Sequence, residues 1–304
     1  MTQATQAQTI VDRLWHPESP IMLDDGGILF VEADTGRVAV HYPDGLLATF
    51  AVTGGRPYGC LFGSDGRLYV AQSGSDGVNR RAPRRVPPSL QRVSSDGAHV
   101  ETLATEADGI PFIAPNSLVW DTEGRLWMTD SGHWDPDERA DPGRIYRFDR
   151  AGRAHVAHEP GNVFPNGIAA EADGSMVWVE SYTRRIGRIL PGGATEIITT
   201  LDEGHTPEAI KLDARGRLWV ANFEAGGIDV LERDGTPVET ISTGGVPINF
   251  LWHDGLLDVV DFGTEDTDVN GIRPGRIVRL STSTTGAPTY EGLLPEQERH
   301  THDS

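Results

Sequence analysis

The chain has 304 residues, of which 38% are hydrophobic, and it carries 45 acidic residues against 26 basic ones. The formal charge of −19 disfavours nucleic acid and anionic membrane as partners, while the apolar content is sufficient for a substantial core. The single cysteine, Cys60, excludes an internal disulfide, and the absence of a signal-like or membrane-length apolar segment predicts a cytoplasmic protein.

In chain order, a polar start gives way to repeated strand signals. We expect one domain over residues 1–304, with frayed ends at about 1–8 and 296–304. TIVDRLW (residues 9–15) reads as a strand that could close a ring by pairing with the last repeat unit. Six units follow, each with Pro, a variable residue, an apolar run, a Gly turn and an apolar or aromatic strand. They begin at Pro17, Pro57, Pro115, Pro165, Pro207 and Pro247.

The spacing of these units indicates the fold. Successive units start 40, 58, 50, 42 and 40 residues apart, and each contains several short strands and no convincing amphipathic helix. A period of this length is typical of a β-propeller. A large β-sandwich would not need one period kept six times, so the sequence predicts an all-β, six-bladed β-propeller.

The variable residue after each Pro carries the chemical signal. In a propeller the first strand of each blade lines the central channel, so these residues should meet at one mouth. Four of them bear oxygen, namely Glu18, Asn116, Asn166 and Glu208. Alone, each is also typical of a turn or a solvated strand end. Together, their matched register predicts an all-oxygen metal site, best suited to Ca²⁺, then Mg²⁺ or Mn²⁺, and least to Zn²⁺.

Other residues are expected near the same mouth. Tyr58 holds the variable position of the second unit, and Asp130 ends a second strand that returns to the mouth. Two insertions, at residues 77–92 and 131–144, are candidate lids, and the second offers His133 and Trp134 for substrate contact. The segment 266–271 begins like a calcium loop but lacks the closing Glu, so it is interpreted as an acidic turn.

Three segments together resemble the gluconolactonase/regucalcin (senescence marker protein) family. They are APNSLVWDTEGRLWMTDSG, FPNGIAAEADGSMVWVES and TPEAIKLDARGRLWVANFEAGGIDVL, and the resemblance extends from about Pro17 to Leu280. It implies a six-bladed propeller with one divalent metal in the channel. By the same resemblance, Glu18, Asn166 and Glu208 coordinate the metal, Asn116 completes the site or contacts substrate, and Glu208 is the catalytic acid/base.

The chain departs from the family pattern at several positions. Glu208 stands where the family has Asp, and Ser117 also replaces an Asp. Ala114 occupies the position at which sugar lactonases of the family often carry Arg. The surrounding segment GIPFIAPN is apolar and adds Phe112 as a substrate-contact candidate. These changes favour a substrate less polar than a sugar lactone.

The sequence therefore predicts a metal-dependent lactonase-type hydrolase acting on a small lactone or ester. A metal that polarises a carbonyl beside a carboxylate base also supports isomerase, lyase or aldol-type chemistry, so those reactions stay open. A non-catalytic binding propeller is the third alternative, against which stands the retained ring of ligands. The expected partner is a small molecule, with no nucleic acid and no membrane. Neither the substrate nor the oligomeric state follows from the sequence.

Overall fold

A computed structural model describes residues 7–74, 81–263 and 274–295. Within these ranges the chain forms β-strands, turns and loops without a helix, and accordingly no helix there could span a membrane. The ends expected to fray fall outside the described ranges, except for Ala7 and Gln8, and Gln8 begins the first strand. The calcium-loop-like segment 266–271 also lies outside them, as does part of the 77–92 insertion.

The strands form six four-stranded antiparallel sheets, which confirms the six-bladed propeller. Strand β1 (Gln8–Leu14) comes first in the chain. The first blade consists of β2 (Pro17–Met22), β3 (Ile28–Glu32), β4 (Arg37–His41) and β5 (Leu47–Val52). The second blade consists of β6 (Pro57–Phe62), β7 (Leu68–Gln72), β8 (Ser89–Val93) and β9 (Val100–Ala104). A small hairpin, β10 (Glu106–Ala107) and β11 (Ile110–Pro111), precedes the third blade, β12 (Pro115–Trp120), β13 (Leu126–Asp130), β14 (Gly143–Phe148) and β15 (Ala154–Gly161).

The remaining three blades follow in the same order. The fourth and fifth are β16 (Pro165–Ala170), β17 (Met176–Glu180), β18 (Arg185–Ile189), β19 (Thr195–Thr200) and β20 (Pro207–Leu212), β21 (Leu218–Asn222), β22 (Gly227–Leu231), β23 (Pro237–Ser242). The sixth blade contains β24 (Pro247–His253), β25 (Leu256–Asp261) and β26 (Gly275–Ser281), together with β1.

Strand β1 completes the sixth blade as its outermost strand. It pairs antiparallel with β26, so that Gln8 lies opposite Arg279 and Leu14 opposite Gly275. The predicted ring closure by residues 9–15 is thus confirmed. This pairing ties the first strand of the chain into the last blade and so closes the ring of blades.

Apolar side chains fill the junctions between blades. Six buried clusters are found among the described residues, one between each pair of neighbouring sheets. Trp120, for example, packs between the second and third blades, where its ring meets that of Tyr69 edge-on at 5.2 Å. Because the second strand of each blade is buried on both faces, it reads as a largely apolar run rather than as an alternating sequence.

The recurring segment Asp-x-x-Gly-Arg-x-Trp clasps the turn between the first two strands of a blade. The carboxylate of Asp121 accepts hydrogen bonds from Arg125 Nε at 2.7 Å and from Trp127 Nε1 at 2.8 Å. In the fifth blade Asp213 accepts the same pair of bonds from Arg217 and Trp219. The turn glycine adopts positive φ, which a side chain would strain, so the repeat keeps Gly there.

The inner strands β2, β6, β12, β16, β20 and β24 contact one another in sequence around the channel and close from β24 to β2. Each inner strand pairs with the second strand of its blade, and the register of this pairing shifts after the first residues of the inner strand. Such a shift bends the strand and changes the direction of its first side chains. Neighbouring inner strands approach closely. A Cβ on Gly167 would lie 2.5 Å from the backbone nitrogen of Ile210, so only glycine fits beside the fifth blade.

Candidate functional site

A cavity of about 420 Å³ lies where the inner strands begin, and all six variable residues line it. They are Glu18, Tyr58, Asn116, Asn166, Glu208 and Ile248. The repeat register therefore brings together the four oxygen-bearing residues that the sequence singled out. Their individual roles as ligands or catalyst stay predictions.

Asn166 and Glu208 are in direct contact across the fourth and fifth blades. The amide Nδ2 of Asn166 donates to Glu208 Oε2 at 2.6 Å and to Ser181 Oγ at 3.1 Å. Ser181 in turn donates its hydroxyl proton to the carbonyl oxygen of Pro207 at 2.6 Å. Since these bonds join the two blades, they fix the orientation of Glu208 relative to Asn166.

The two carboxylates are held under electrostatic stress. Burial raises the pKa of Glu18 well above its usual value, and the negative charge of Glu208 raises it further. Hydrogen bonds from the Ser19 backbone and from Asn249 offset only part of this rise. Burial likewise raises the pKa of Glu208 to about 7, although the hydrogen bond from Asn166 acts in the opposite direction. Bringing a cation to this site would relieve the stress on both groups.

Lys211 places a positive charge near the carboxylate of Glu18. It lies on the same strand as Glu208, and its Nζ lies 5.7 Å from the ring centroid of Phe250 in the sixth blade. Burial lowers the pKa of Lys211 to about 8, while the charge of Glu18 partly restores it. The lysine thus offsets some of the negative charge at Glu18.

Asn116 has a free donor at the cavity. Its Oδ1 accepts a hydrogen bond from Ser117 Oγ at 3.4 Å, and its Nδ2 bonds to no other described residue. That Nδ2 can donate to a carbonyl oxygen in the cavity.

The other predicted contact residues divide into two groups. Tyr58, His133 and Trp134 line the cavity, and Trp134 packs edge-on against the ring of Phe164 at 4.9 Å. Phe112 and Asp130 do not line it. Phe112 is buried in the core between the second and third blades.

Asp130 is fully buried for a structural reason. Its carboxylate accepts hydrogen bonds from the backbone nitrogens of Ile113 at 2.8 Å and Ala114 at 2.6 Å. The second strand does return toward the mouth, as expected. The side chain of Asp130 at the end of that strand, however, binds the backbone of the segment before Pro115 and does not line the cavity.

Two further sets of lining residues escaped the sequence analysis. One set directly precedes the Pro of a unit, and the other directly follows a second strand. The first set is His16, Arg56, Ala114 and Phe164, of which the sequence had singled out Ala114. The second set includes Ser73, Phe223, Phe262 and Ser131, the residue that opens the predicted insertion 131–144. Both occupy repeat-equivalent positions, so the register that located the variable residues could also have located them.

The first of these sets includes strained backbone. His16 has φ of 55° and Phe164 has φ of 54°, values that residues other than glycine seldom adopt. His16 packs edge-on against Phe262 at 4.6 Å, and burial together with the charge of Arg56 lowers its pKa to about 3. His16 is therefore a neutral part of the wall.

The donor set fits a hard divalent cation. Glu18 and Glu208 supply carboxylate oxygens, and Asn116 and Asn166 supply amide carbonyls, the ligand types that Ca²⁺ prefers. No cluster of three or more His, Cys, Asp or Glu side chains with metal-binding geometry occurs in the described ranges. A cation at this site would consequently depend on the amide oxygens as well as on the two carboxylates.

Comparison with known proteins identifies relatives of this arrangement. Residues 16–252 match the sequence model described as the SMP-30/Gluconolactonase/LRE-like region. The protein STRICTOSIDINE SYNTHASE-LIKE 6 of Arabidopsis thaliana is 27% identical over 220 residues, covering 67% of this chain and 56% of that protein. The chain thus spans about half the length of the curated relatives it matches.

Two solved structures show the same fold at low identity. A luciferin-regenerating enzyme superposes with a TM-score of 0.76 at 17% identity, covering 95% of this chain and 100% of that one. A structure described as a calcium-binding protein, regucalcin, from Agrobacterium tumefaciens superposes with a TM-score of 0.72 at 17% identity, covering 96% and 98%.

Proposed function

The chain belongs to the SMP-30/gluconolactonase/LRE-like family, and from this and the cavity we propose that it is a metal-dependent lactone hydrolase. The observation that carries the proposal is the convergence of Glu18, Asn116, Asn166 and Glu208 on one cavity. A scaffold propeller has no need to gather two stressed carboxylates and two amides at one mouth. We further propose that the substrate is a small lactone whose body is less polar than a sugar.

Glu18, Asn166 and Glu208 would hold the metal, with Asn116 beside it. Calcium is the ion we propose, because every candidate ligand is an oxygen. The protein similar in fold from Agrobacterium tumefaciens is itself described as calcium-binding. When bound, such an ion would polarise the lactone carbonyl and stabilise negative charge that develops on its oxygen.

Glu208 is the proposed general base and acid. Its carboxylate would take a proton from the water whose oxygen attacks the carbonyl carbon. The ring carbon–oxygen bond then breaks, and Glu208 returns the proton to the leaving alkoxide, giving a hydroxy acid. Burial raises the pKa of this carboxyl in the metal-free chain, and a bound cation would lower it again, so that the carboxylate form would be present to accept the proton. The hydrogen bond from Asn166 keeps the carboxylate oriented during the exchange.

Asn116 and the apolar wall would position the substrate. The unengaged Nδ2 of Asn116 can donate to the carbonyl oxygen of the lactone. Ala114, Phe164 and Phe262 form parts of the wall that could contact the rest of the molecule. Burying apolar surface there favours a hydrocarbon or aromatic body over a polyhydroxylated one.

A second candidate reaction is favoured by the names of the plant relatives, which are described as strictosidine synthase-like. Those names point to bond formation rather than hydrolysis. A polarised carbonyl or imine beside a carboxylate base would serve isomerase, lyase or aldol-type chemistry with the same residues. The products therefore distinguish the two candidates.

The test is turnover of a panel of aryl- and alkyl-substituted lactones, with product identification by NMR. We expect hydroxy acids from the wild type and loss of turnover after chelation. Glu208→Gln keeps an oxygen at the site but removes the base, so the rate should fall by about 10²–10⁴-fold. The exposed Glu239→Gln serves as the matched control. Turnover by Glu208→Gln at the wild-type rate would remove Glu208 from the mechanism.

A further inference from the structure

Arg56 stands out among the cavity residues as the one arginine or lysine that lines the described wall. It directly precedes Pro57, and its backbone nitrogen donates to Gln72 Oε1 at 2.6 Å, which anchors the residue. The guanidinium carbon lies 5.4 Å from the ring centroid of Tyr58. The side chain is therefore held against the cavity rather than extended into solvent.

The guanidinium of Arg56 has more N–H donors than the described residues around it provide acceptors for. Its Nη2 lies 3.4 Å from Asp34 Oδ1, a long contact to a partly exposed carboxylate. Its Nε is buried and has no hydrogen-bond partner among the described residues. A buried donor without an acceptor is costly, and most such donors in proteins are satisfied by protein, water or ligand. Because Nε itself is closed off from solvent, an acceptor in the cavity would reach the terminal nitrogens of Arg56, whose side chain is 24% exposed.

The neighbouring wall does not supply that acceptor. His16 packs edge-on against Tyr58 with ring centroids 5.5 Å apart, and Phe262 covers the other side of His16. Glu18 lies close to His16, with 4.0 Å between its Oε1 and His16 Nε2, and belongs to the proposed metal ligands. Among the described residues, the ion pair formed by Arg56 is this long contact with Asp34.

We propose that the substrate carries a carboxylate, and that this carboxylate binds Arg56 while the apolar body rests on the aromatic wall. The inference rests on the proposed hydrolase function and names its substrate class as anionic lactones with a hydrocarbon or aromatic body. The planar guanidinium matches a carboxylate in geometry and charge, and the carboxylate oxygens would accept hydrogen bonds from its terminal nitrogens. The reacting carbonyl then lies toward Asn116 and Glu208, away from the anionic end.

The experiment compares two lactones of equal shape on the calcium-loaded protein. One is a γ-butyrolactone with a para-carboxyphenyl substituent, and the other is its para-carboxamide analogue. The wild type should show a kcat/KM at least about tenfold higher for the carboxylate, as expected for a charge-assisted hydrogen bond. Arg56→Gln should lower kcat/KM for the carboxylate at least about ten times more than for the carboxamide, mainly through KM.

Two further variants separate recognition from a structural role. Asp34→Asn removes the competing carboxylate, so it should lower KM for the carboxylate lactone, whereas a merely structural Arg56–Asp34 pair would make both substitutions harmful. Arg153→Gln, which removes an exposed arginine with a surface ion pair, should change neither substrate. Circular dichroism and the unfolding midpoint show whether each variant is folded.

The outcomes also separate this inference from the hydrolase proposal. Equal turnover of both lactones by the wild type would overturn the anionic preference while leaving hydrolysis intact. If neither lactone reacts, the hydrolase proposal fails, and the Arg56 site is judged by titrating phenylbutyrate against tryptophan fluorescence. Binding weakened at least about tenfold by Arg56→Gln would support the site, and absent or unchanged binding would overturn it.

Discussion

Replacing Glu208 by Gln should make the metal-free protein more stable at pH 8, although the same change should lower the activity of the calcium-loaded protein. The carboxylate of Glu208 is buried beside a second carboxylate, Glu18, so its ionisation costs free energy in the folded state. Gln carries no charge, has the same shape, and can still accept the hydrogen bond from Asn166. A buried residue whose charge costs the fold stability is typical of a functional site.

The size of the effect follows from the shift in pKa. The pKa of Glu208 rises from 4.5 to about 7 on folding. The folded state therefore binds more protons than the unfolded state, and stability falls as pH rises from about 4.5 to about 7. With 1.36 kcal/mol for each unit, the cost is about 3 kcal/mol at pH 8 and about 1 kcal/mol at pH 5. Glu208→Gln should recover these amounts.

Urea unfolding of chelator-treated protein at pH 5 and pH 8 measures the difference. Glu208→Gln should unfold at higher urea than the wild type, with a larger margin at pH 8, while the exposed Glu239→Gln should differ little from the wild type at either pH. An unchanged or lowered free energy of unfolding at pH 8 would show that the Glu208 carboxylate is not under stress. The electrostatic argument for a cation at this site would then fail.

Three other perturbations have expected outcomes. Glu208→Asp retracts the carboxylate by one methylene, so kinetic assays should show lower activity on the native substrate and a gain on sugar lactones. Lys211→Met removes a positive charge near the cation site, so calorimetric titration should show several-fold tighter calcium binding, and weaker binding would contradict this placement of the charge. His155 bonds to Asp108 at 2.9 Å and Asp149 at 3.3 Å, and these hydrogen bonds raise its pKa. This stabilisation is complete below about pH 6.5 and is lost as pH rises through the raised pKa. The difference in urea midpoint between wild type and His155→Gln should therefore be present at pH 6 and vanish at pH 9.

The fold was accessible from sequence because the repeat is governed by local rules. Each unit needs a Gly at positive φ in its first turn, an apolar strand covered on both faces, and a Pro at the start of its inner strand. These requirements recur with a fixed spacing, so the blade starts could be read directly. The closing strand β1 was also readable, because TIVDRLW is a strand without a unit of its own.

The sequence predicted the candidate site only for residues that occupy equivalent positions in the repeat. The variable residues line the cavity because they occupy equivalent positions on equivalent strands. Asp130 shows the limit of this reasoning, since its position is equivalent to other strand ends but its direction is set by hydrogen bonds to Ile113 and Ala114. The backbone turn that aims His16 and Phe164 into the wall depends on positive φ at residues other than glycine, which no sequence pattern announces.

The sequence also could not predict that Arg56 has an N–H donor without a partner among the described residues. Its sequence neighbours give no indication that Nε is buried or that Asp34, twenty-two positions earlier, contacts Nη2. The proposed preference for an anionic substrate therefore rests on the folded structure and not on a sequence pattern.

The most direct test of the central claim is the rate of lactone hydrolysis as calcium is added back to chelated protein. The wild type should be inactive after chelation and regain its full rate at about one calcium ion per chain, while Glu18→Gln should need far more calcium. An undiminished rate in excess chelator would contradict the account, as would identical recovery by the wild type and Glu18→Gln.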